Sequence, residues 1–220
     1  IRDHCVTGVQ TCALPIYRLR EVRAFRGFRR LDPSGELVSA GSGAPNWLPA
    51  FETFGEGFFL KFSPQAVQAW ETTLDPKVQQ KIKELEDILE EANLSRRFPE
   101  PTPGFLAIHT FSHVLMNQLS HECGYPTSSL RERIYTVQNS FGLLIYTASG
   151  DSEGTLGGLV RMSDPVSLAN LIAKTLRSMS WCSADPICLE SVGQGLSGLN
   201  EAACHACCLV PETSCEYANV

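Results

Sequence analysis

Apolar residues recur at helical spacing in two neighbouring segments of the chain. In DPKVQQKIKELEDILEEANL, the residues that follow this spacing are Val78, Ile82, Leu85, Ile88 and Leu89. The preceding SPQAVQAWETTL starts with a Ser and then a Pro, and DPKV repeats this start with Asp and Pro, as expected for capped helix N-termini. Both segments are therefore predicted to be helices, the second amphipathic.

Further along the chain, helical and β-type patterns follow one another. FLAIHTFSHVLMNQLSHECGY predicts a helix that ends at Gly124, and SDPVSLANLIAKTLRSMSWC predicts a capped helix that leads to Cys182. GFFLKF, SSLRERIYTV and FGLLIYTA have the composition of strands. This order predicts an α+β fold, with a small sheet, packed helices and a C-terminal cysteine-rich segment stapled by zinc.

Two features of the sequence suggest how the chain is divided. VTGVQTCALPI resembles the translation of a sequencing-library adapter oligonucleotide, so we expect residues 1 to 16 to be a cloning scar that contributes nothing to the core. RRFPEPTPG combines three prolines with a glycine and is the best candidate for a boundary. We therefore expect a loop-rich and helical portion at 17–100 and a zinc-binding domain at 101–220.

The formal net charge of −6 is unevenly distributed. Residues 17 to 30 hold a single Glu and six arginines, which we call the arginine strip: Arg18, Arg20, Arg23, Arg26, Arg29 and Arg30. Guanidinium groups with interleaved aromatic rings could follow a nucleic-acid backbone and stack on bases. The alternative is a solvated strand face, because the apolar residues of the strip hold no strict period.

The cysteines and the hydropathy indicate the cellular compartment. No run of about 18 apolar residues is present, so no helix is expected to span a membrane. Of the nine cysteines, two fall in the expected scar and six lie in the last 39 residues, a distribution unlike a secreted disulfide framework. We therefore expect a reducing, cytoplasmic environment and a metal site.

The C-terminal cysteines carry the strongest chemical signal. Cys204 and Cys207 form a C-x2-C knuckle, whose spacing lets two thiolates reach one tetrahedral ion, and Cys182, Cys188 and Cys215 can complete the ligand set. Cys208 adjoins the knuckle and is expected to point elsewhere. Free buried thiols and a redox dithiol are the alternatives, but a structural zinc ion is favoured.

Histidines and glycines suggest two other chemistries that the sequence does not support. His109 and His113 are one helical turn apart, with His121 near the same face, but HTFSH has Thr110 where a zinc protease needs Glu. We expect these histidines to serve packing or hydrogen bonding. The loop SGDSEGTLGGL lacks the Lys and Ser/Thr of a phosphate-binding loop, so nucleotide binding is not expected.

The segments FLAIHTFSHVLMNQLS, SLRERIY, GLLIYTASGDSEGTLGGL and the cysteine-rich tail together resemble MZB, a helicase-associated zinc-binding domain family. REVRAFRGFRRL and FETFGEGFFLKF extend the resemblance, over residues 17–220, to the DrmB-like proteins of bacterial DISARM anti-phage systems. The resemblance implies Cys188, Cys204, Cys207 and Cys215 as zinc ligands, with Cys182 as a fifth candidate. The closing Leu-Asp stretch of the family is missing, so a fragment at both ends is expected.

The resemblance also implies a function. It implies a non-catalytic zinc-binding subunit that associates with a DrmA-like helicase partner, contacts foreign DNA through the complex and leaves ATP hydrolysis to the partner. Two alternatives of other classes stay open. One is an enzyme, either a metal hydrolase that uses His109 and His113 or a thiol redox enzyme that uses the cysteine cluster. The other is a free-standing zinc module that binds nucleic acid alone.

Overall fold

The structure, a computed structural model, combines one antiparallel sheet with helices packed on it. It describes residues 4–5, 11–28, 36–39, 46–91, 98–137, 140–147, 157–191, 204–217 and 219. The predicted mixture of helices and strands is confirmed, with cysteine-bearing turns at the C-terminal end. Most of the glycine loop, residues 148 to 156, lies outside the described residues.

Five strands form the main sheet, in the order β1-β2-β5-β7-β6, and every neighbouring pair is antiparallel. A separate two-stranded ribbon pairs β3 with β4. The predicted strands GFFLKF, SSLRERIYTV and FGLLIYTA fall on β5, β6 and β7. The strand bounds are β1 His4–Cys5, β2 Thr11–Ala24, β3 Gly27–Phe28, β4 Val38–Ser39, β5 Ala50–Phe62, β6 Leu130–Val137 and β7 Ser140–Thr147.

The helices begin where the sequence places capping residues. Ser63, Thr102 and Asp164 each accept a hydrogen bond from a backbone N–H of the first turn, and a Pro follows each of them. Gly124 ends the long central helix in the left-handed conformation that glycine adopts at low cost. The helices are α1 Pro64–Glu71, α2 Pro76–Glu91, α3 Pro103–Cys123, α4 Gly158–Met162, α5 Pro165–Ser178 and α6 Ile187–Glu190, with a 3₁₀ turn at Thr127–Ser129.

The core lies between the sheet and the layer formed by α3 and α5. Helix α3 contacts β6, β7 and α5, so both sides of this helix are covered. Its apolar residues pack against inward-facing residues of β5 and β7, and this shared core includes the fully buried Phe58, Leu60, Leu115, Leu143 and Leu168. Burial on this scale stabilises the domain because each large apolar side chain removed from water contributes about 1.5–3 kcal/mol.

The proline-rich segment that was expected to mark a boundary does not divide the core. Strand β5 precedes this segment and β7 follows it, yet the two strands pair from Gly57–Tyr146 to Phe62–Phe141. Phe98, within the segment, packs beside a small cluster formed by Leu85 and Leu89 of α2. Pro103 instead opens α3, because the first turn of a helix tolerates a residue without a backbone N–H, so the segment leads into the central helix of the same packed unit.

Residues 11 to 16 are part of the core, in contrast to the expectation that nothing in residues 1 to 16 would contribute to it. They form the start of β2, pair with Gly57–Phe62 of β5, and bury Ala13 completely. The physical reason is that a strand edge offers unpaired backbone N–H and C=O groups, which an extended segment can satisfy whatever its origin. That the segment derives from an adapter stays a prediction.

We expect deletion of residues 1–16 to lower the melting temperature by several degrees, because Gly57–Phe62 of β5 would lose their pairing on the β2 side and the core would lose Ala13. Deletion of residues 1–10 is the matched control, since it keeps the paired residues 11 to 16. Thermal unfolding followed by circular dichroism measures both. Equal melting temperatures for the two deletions would show that this pairing does not stabilise the fold.

Candidate metal centre

Four cysteines are brought together from three short segments that follow the core. After α5 ends at Ser178, the chain turns and places Cys182, and the short helix α6 carries Cys188. A tight turn from Cys204 to Cys207 supplies the remaining two. We call Cys182, Cys188, Cys204 and Cys207 the four-cysteine cluster.

The geometry of the four-cysteine cluster fits a tetrahedral metal ion. The Sγ atoms of Cys182 and Cys204 are 3.8 Å apart, as are those of Cys188 and Cys207, and all four lie within 4.8 Å of one another. Zinc–sulfur bonds of about 2.3 Å in a regular tetrahedron give sulfur–sulfur separations of about 3.8 Å. The residues therefore fit zinc without rearrangement.

Backbone N–H groups and burial act in opposite directions on the thiolate form that a cation would bind. Ala184 and Ala206 each donate their N–H to a cluster sulfur at 3.4 Å, and the bond from Ala206 lowers the pKa of Cys204. Burial raises the pKa of the Cys188 thiol to about 11 and raises that of Cys207 as well. A bound cation overcomes this burial effect, because coordination deprotonates a thiol.

Two side chains of the central helix α3 hydrogen-bond to backbone carbonyl groups at the knuckle. The amide of Asn117 donates to the carbonyl oxygen of Cys207 at 3.2 Å, and Nδ1 of His113 lies 3.0 Å from the carbonyl oxygen of Cys208. Within the turn, the N–H groups of Cys207, Cys208 and Leu209 all point to the carbonyl oxygen of Cys204. The knuckle is thus fixed to the rigid core by two side chains of α3.

Cys215, which the resemblance implied as a zinc ligand, does not join the four-cysteine cluster, and Cys182, the fifth candidate, takes its position. After the knuckle, Pro211 accepts hydrogen bonds from Ser214 and Cys215 in a turn that redirects the chain. The Cys215 sulfur consequently lies 3.1 Å from Nε2 of His109 on α3. Cys208 belongs to neither of the two ligand clusters found among the described residues.

His109 and His113 lie in a second group of ligand-type side chains, together with Glu132 and Cys215. We expected the two histidines to serve packing, and their rings do contact each other, with centroids 4.5 Å apart. All four residues are buried. Burial raises the pKa of Cys215, and the charge of Glu132 adds to this effect.

Sequence reasoning missed Glu132, although a signal for it exists. In LRERIY, the alternation of β6 puts Glu132 on the same buried face as Leu130 and Ile134, where a carboxylate needs partners. Burial alone would raise the pKa of this carboxyl, but the adjacent imidazoles of His109 and His113 hold it well below its usual range. His121, by contrast, is exposed near the end of α3.

The first three arginines of the strip, Arg18, Arg20 and Arg23, lie in the second half of β2. Arg18 stacks on the ring of Phe54 at 4.3 Å, while Arg20 pairs with Glu52. Arg23 pairs with Glu21, and Arg26 is exposed. Arg29 and Arg30 lie outside the described residues. Two of the strip's charges are therefore partly neutralised by neighbouring carboxylates.

The part of the chain that carries the four-cysteine cluster matches a known protein family. Residues 111–208 match the family model of MZB, the MrfA Zn-binding domain, and this range contains the whole four-cysteine cluster but not Cys215. The chain thus contains a zinc-binding domain of the MZB class.

A more extended match identifies the type of protein. The DISARM protein DrmB of Bacillus paralicheniformis is 37% identical over 213 residues, a match that covers 92% of this chain and 38% of the relative. The chain is therefore a DrmB-like sequence that carries an MZB domain, and it spans well under half the length of that relative. Within the described part of the chain, no helix is both long and apolar enough to cross a membrane.

Replacing any residue of the four-cysteine cluster by Ser should weaken zinc binding by more than about 100-fold, because a four-ligand site loses one of its four thiolates. The informative variants are Cys182→Ser and Cys204→Ser, measured by competition with a chromophoric chelator under reducing conditions. Cys208→Ser is the matched control, since it is adjacent in sequence and outside the cluster. Full zinc affinity in Cys182→Ser would remove Cys182 from the ligand set.

Proposed function

We propose that the four-cysteine cluster holds a structural zinc ion and that the protein is a non-catalytic subunit of a DISARM-type anti-phage complex. In this role it associates with a DrmA-like helicase partner and helps the complex engage foreign DNA. The similarity to a DISARM protein supports the biological setting. The arrangement of the four cysteines supports the structural role of the zinc.

The observation that carries the proposal is the closed ligand set on a surface segment anchored to α3. Four thiolates fill a tetrahedral zinc site, whereas a catalytic zinc keeps one position for water or substrate. The ion would fix the positions of α6 and the knuckle relative to α5, because most of the described residues in α6 and the knuckle are exposed or half-buried and pack little against the core. A rigid, metal-stapled surface is suited to contact with a partner, and the helicase would supply ATP hydrolysis.

The part of strands β2 and β5 that carries the arginines supports the proposed DNA contact. Arg23 lies over the ring of Phe51, which is more than half exposed, and three other aromatic side chains close to it in the sequence of this region are at least half exposed: Tyr17, Phe25 and Trp47. Rings of this kind stack on bases regardless of sequence, while guanidinium groups bind phosphates. The ion pairs with Glu21 and Glu52 hold two of the guanidinium groups in fixed positions on the strand surface.

Co-purification tests the proposed association. The full-length protein would be produced together with a tagged helicase encoded beside its gene, and retention on the helicase would be quantified. We expect the wild-type protein and Cys208→Ser to be retained, and the double variant Cys204→Ser/Cys207→Ser to be lost. The proposal fails if the wild-type protein is not retained, or if the double variant binds equally well.

The proposed DNA contact is tested by charge reversal in the assembled complex. Arg18→Glu/Arg20→Glu/Arg23→Glu should weaken DNA binding and reduce the slope of log K against log salt by up to about 1 for each lost phosphate contact. The matched control is Lys77→Glu/Lys81→Glu/Lys83→Glu on α2, which changes the net charge equally at exposed positions. Equal losses in both variants would indicate a general charge effect, and the arginine strip would then be a solvated face.

A further inference from the structure

We propose that a second zinc ion binds in the core of the domain, held by Nε2 of His109, Nε2 of His113, a carboxylate oxygen of Glu132 and Sγ of Cys215. This site is separate from the four-cysteine cluster. Its ligands come from three elements: α3 provides the two histidines, β6 provides Glu132, and the chain after the knuckle provides Cys215.

The distances between the ligand atoms are close to those between ligands of a tetrahedral metal ion. Nε2 of His109 lies 3.1 Å from Sγ of Cys215 and 3.3 Å from Oε1 of Glu132, and Nε2 of His113 lies 3.5 Å from the same oxygen. Bonds of about 2.0–2.1 Å to nitrogen or oxygen and about 2.3 Å to sulfur give separations of about 3.3–3.6 Å around zinc. The two distances to Oε1 of Glu132 agree with these values, the contact from His109 to Cys215 is shorter, and all four atoms lie within 4.8 Å of one another, close enough for one ion to bind them.

His113 provides an independent sign that the position is meant for a ligand. Its Nε2 is buried, and its 3.5 Å contact with Glu132 does not have hydrogen-bond geometry, so the atom has no hydrogen bond within the described part of the chain, a costly state for a polar atom. Its Nδ1 faces the carbonyl oxygen of Cys208 at 3.0 Å, which requires the ring proton on Nδ1. The lone pair of Nε2 is then directed toward the proposed ion, the arrangement found in metal-bound histidines.

The other two ligands have surroundings that suit their bound forms. Sγ of Cys215 accepts the backbone N–H groups of Tyr217 at 3.3 Å and Asn219 at 3.2 Å, as the cluster sulfurs accept those of Ala184 and Ala206. The Glu132 carboxylate is in hydrogen-bond contact with the Ser112 hydroxyl and accepts the N–H of Glu216 at 3.3 Å. These outer contacts orient both groups toward the two histidines.

The charges of this ligand set also suit a divalent ion in the core. A carboxylate and a thiolate together carry two negative charges, which one Zn²⁺ ion neutralises, while the two imidazoles remain neutral. A neutral assembly is the form that a buried position tolerates, because uncompensated charge in the interior is costly. The alternative is a metal-free hydrogen-bond network. Such a network leaves Nε2 of His113 without a hydrogen bond, since its contact with Glu132 is 3.5 Å long.

A metal at this position would connect the core with the tail. His113 would bind the ion through Nε2, while its Nδ1 hydrogen-bonds to the carbonyl oxygen of Cys208, the residue that follows the knuckle. The ion would also fix Cys215, whose neighbour Tyr217 packs edge-on against Phe105 of α3. The buried site would therefore position the segment that presents the four-cysteine cluster. Complete burial excludes substrate, so its role would be structural.

Elemental analysis with X-ray absorption tests the proposal on the unmodified chain, purified under reducing conditions. We expect two zinc ions per chain, with an average of about 2.5 sulfur and 1.5 nitrogen or oxygen ligands per ion. One ion surrounded by sulfur alone would overturn the second site and leave the four-cysteine cluster intact. Because no helicase or DNA is present, this outcome is independent of the proposed association.

Variants assign the ion to the four residues. His113→Gln, Glu132→Gln and Cys215→Ser should each reduce the content to one zinc with a sulfur-only environment. The matched controls His121→Gln, Glu84→Gln and Cys123→Ser should keep two. Circular dichroism identifies any variant that fails to fold, in which case the wild-type ligand average decides. Retention of two ions in folded His113→Gln and Cys215→Ser would overturn the proposed ligand set.

Discussion

The attachment of the C-terminal segment to α3 is the constraint on which the rest of the domain depends. Residues 204 to 217 contribute only a few apolar side chains to the core, so polar contacts must hold them. Asn117 and His113 bind the carbonyl groups of the knuckle, and His109 contacts Cys215. A single buried helix thereby positions both groups of metal-type ligands.

The antiparallel sheet provides the rigid support for that helix. Strand β6 places Glu132 beneath α3, and it also binds the C-terminal segment directly, through the N–H of Glu132 to Ser214 and through Arg131 to the carbonyl of Thr213. The pairing of β5 with β7 joins the two halves of the chain into the same core. Helix α3, the sheet and the cysteine-bearing turns consequently form one packed structure.

This architecture relates the metal chemistry to the proposed role in a larger assembly. Zinc bound by four thiolates would stabilise the turns that carry the cysteines, and it would leave no coordination position for catalysis. The basic and aromatic ribbon of β2 and β5 is carried by a different part of the same sheet. The proposed contacts with a partner and with DNA would thus use separate surfaces that share one core.

The sequence by itself determined the local features. Helix starts at Ser63, Thr102 and Asp164 and the knuckle of Cys204 and Cys207 follow from contacts within a few residues, which spacing reveals. Only the tertiary structure decided that Cys182 joins the knuckle while Cys215 lies against His109, because the sequence left both cysteines as candidates for the same ligand set. It also decided the role of Glu132, since strand pairing and helix packing bring together groups more than 80 residues apart. Such contacts depend on the path of the whole chain, and no local pattern encodes them.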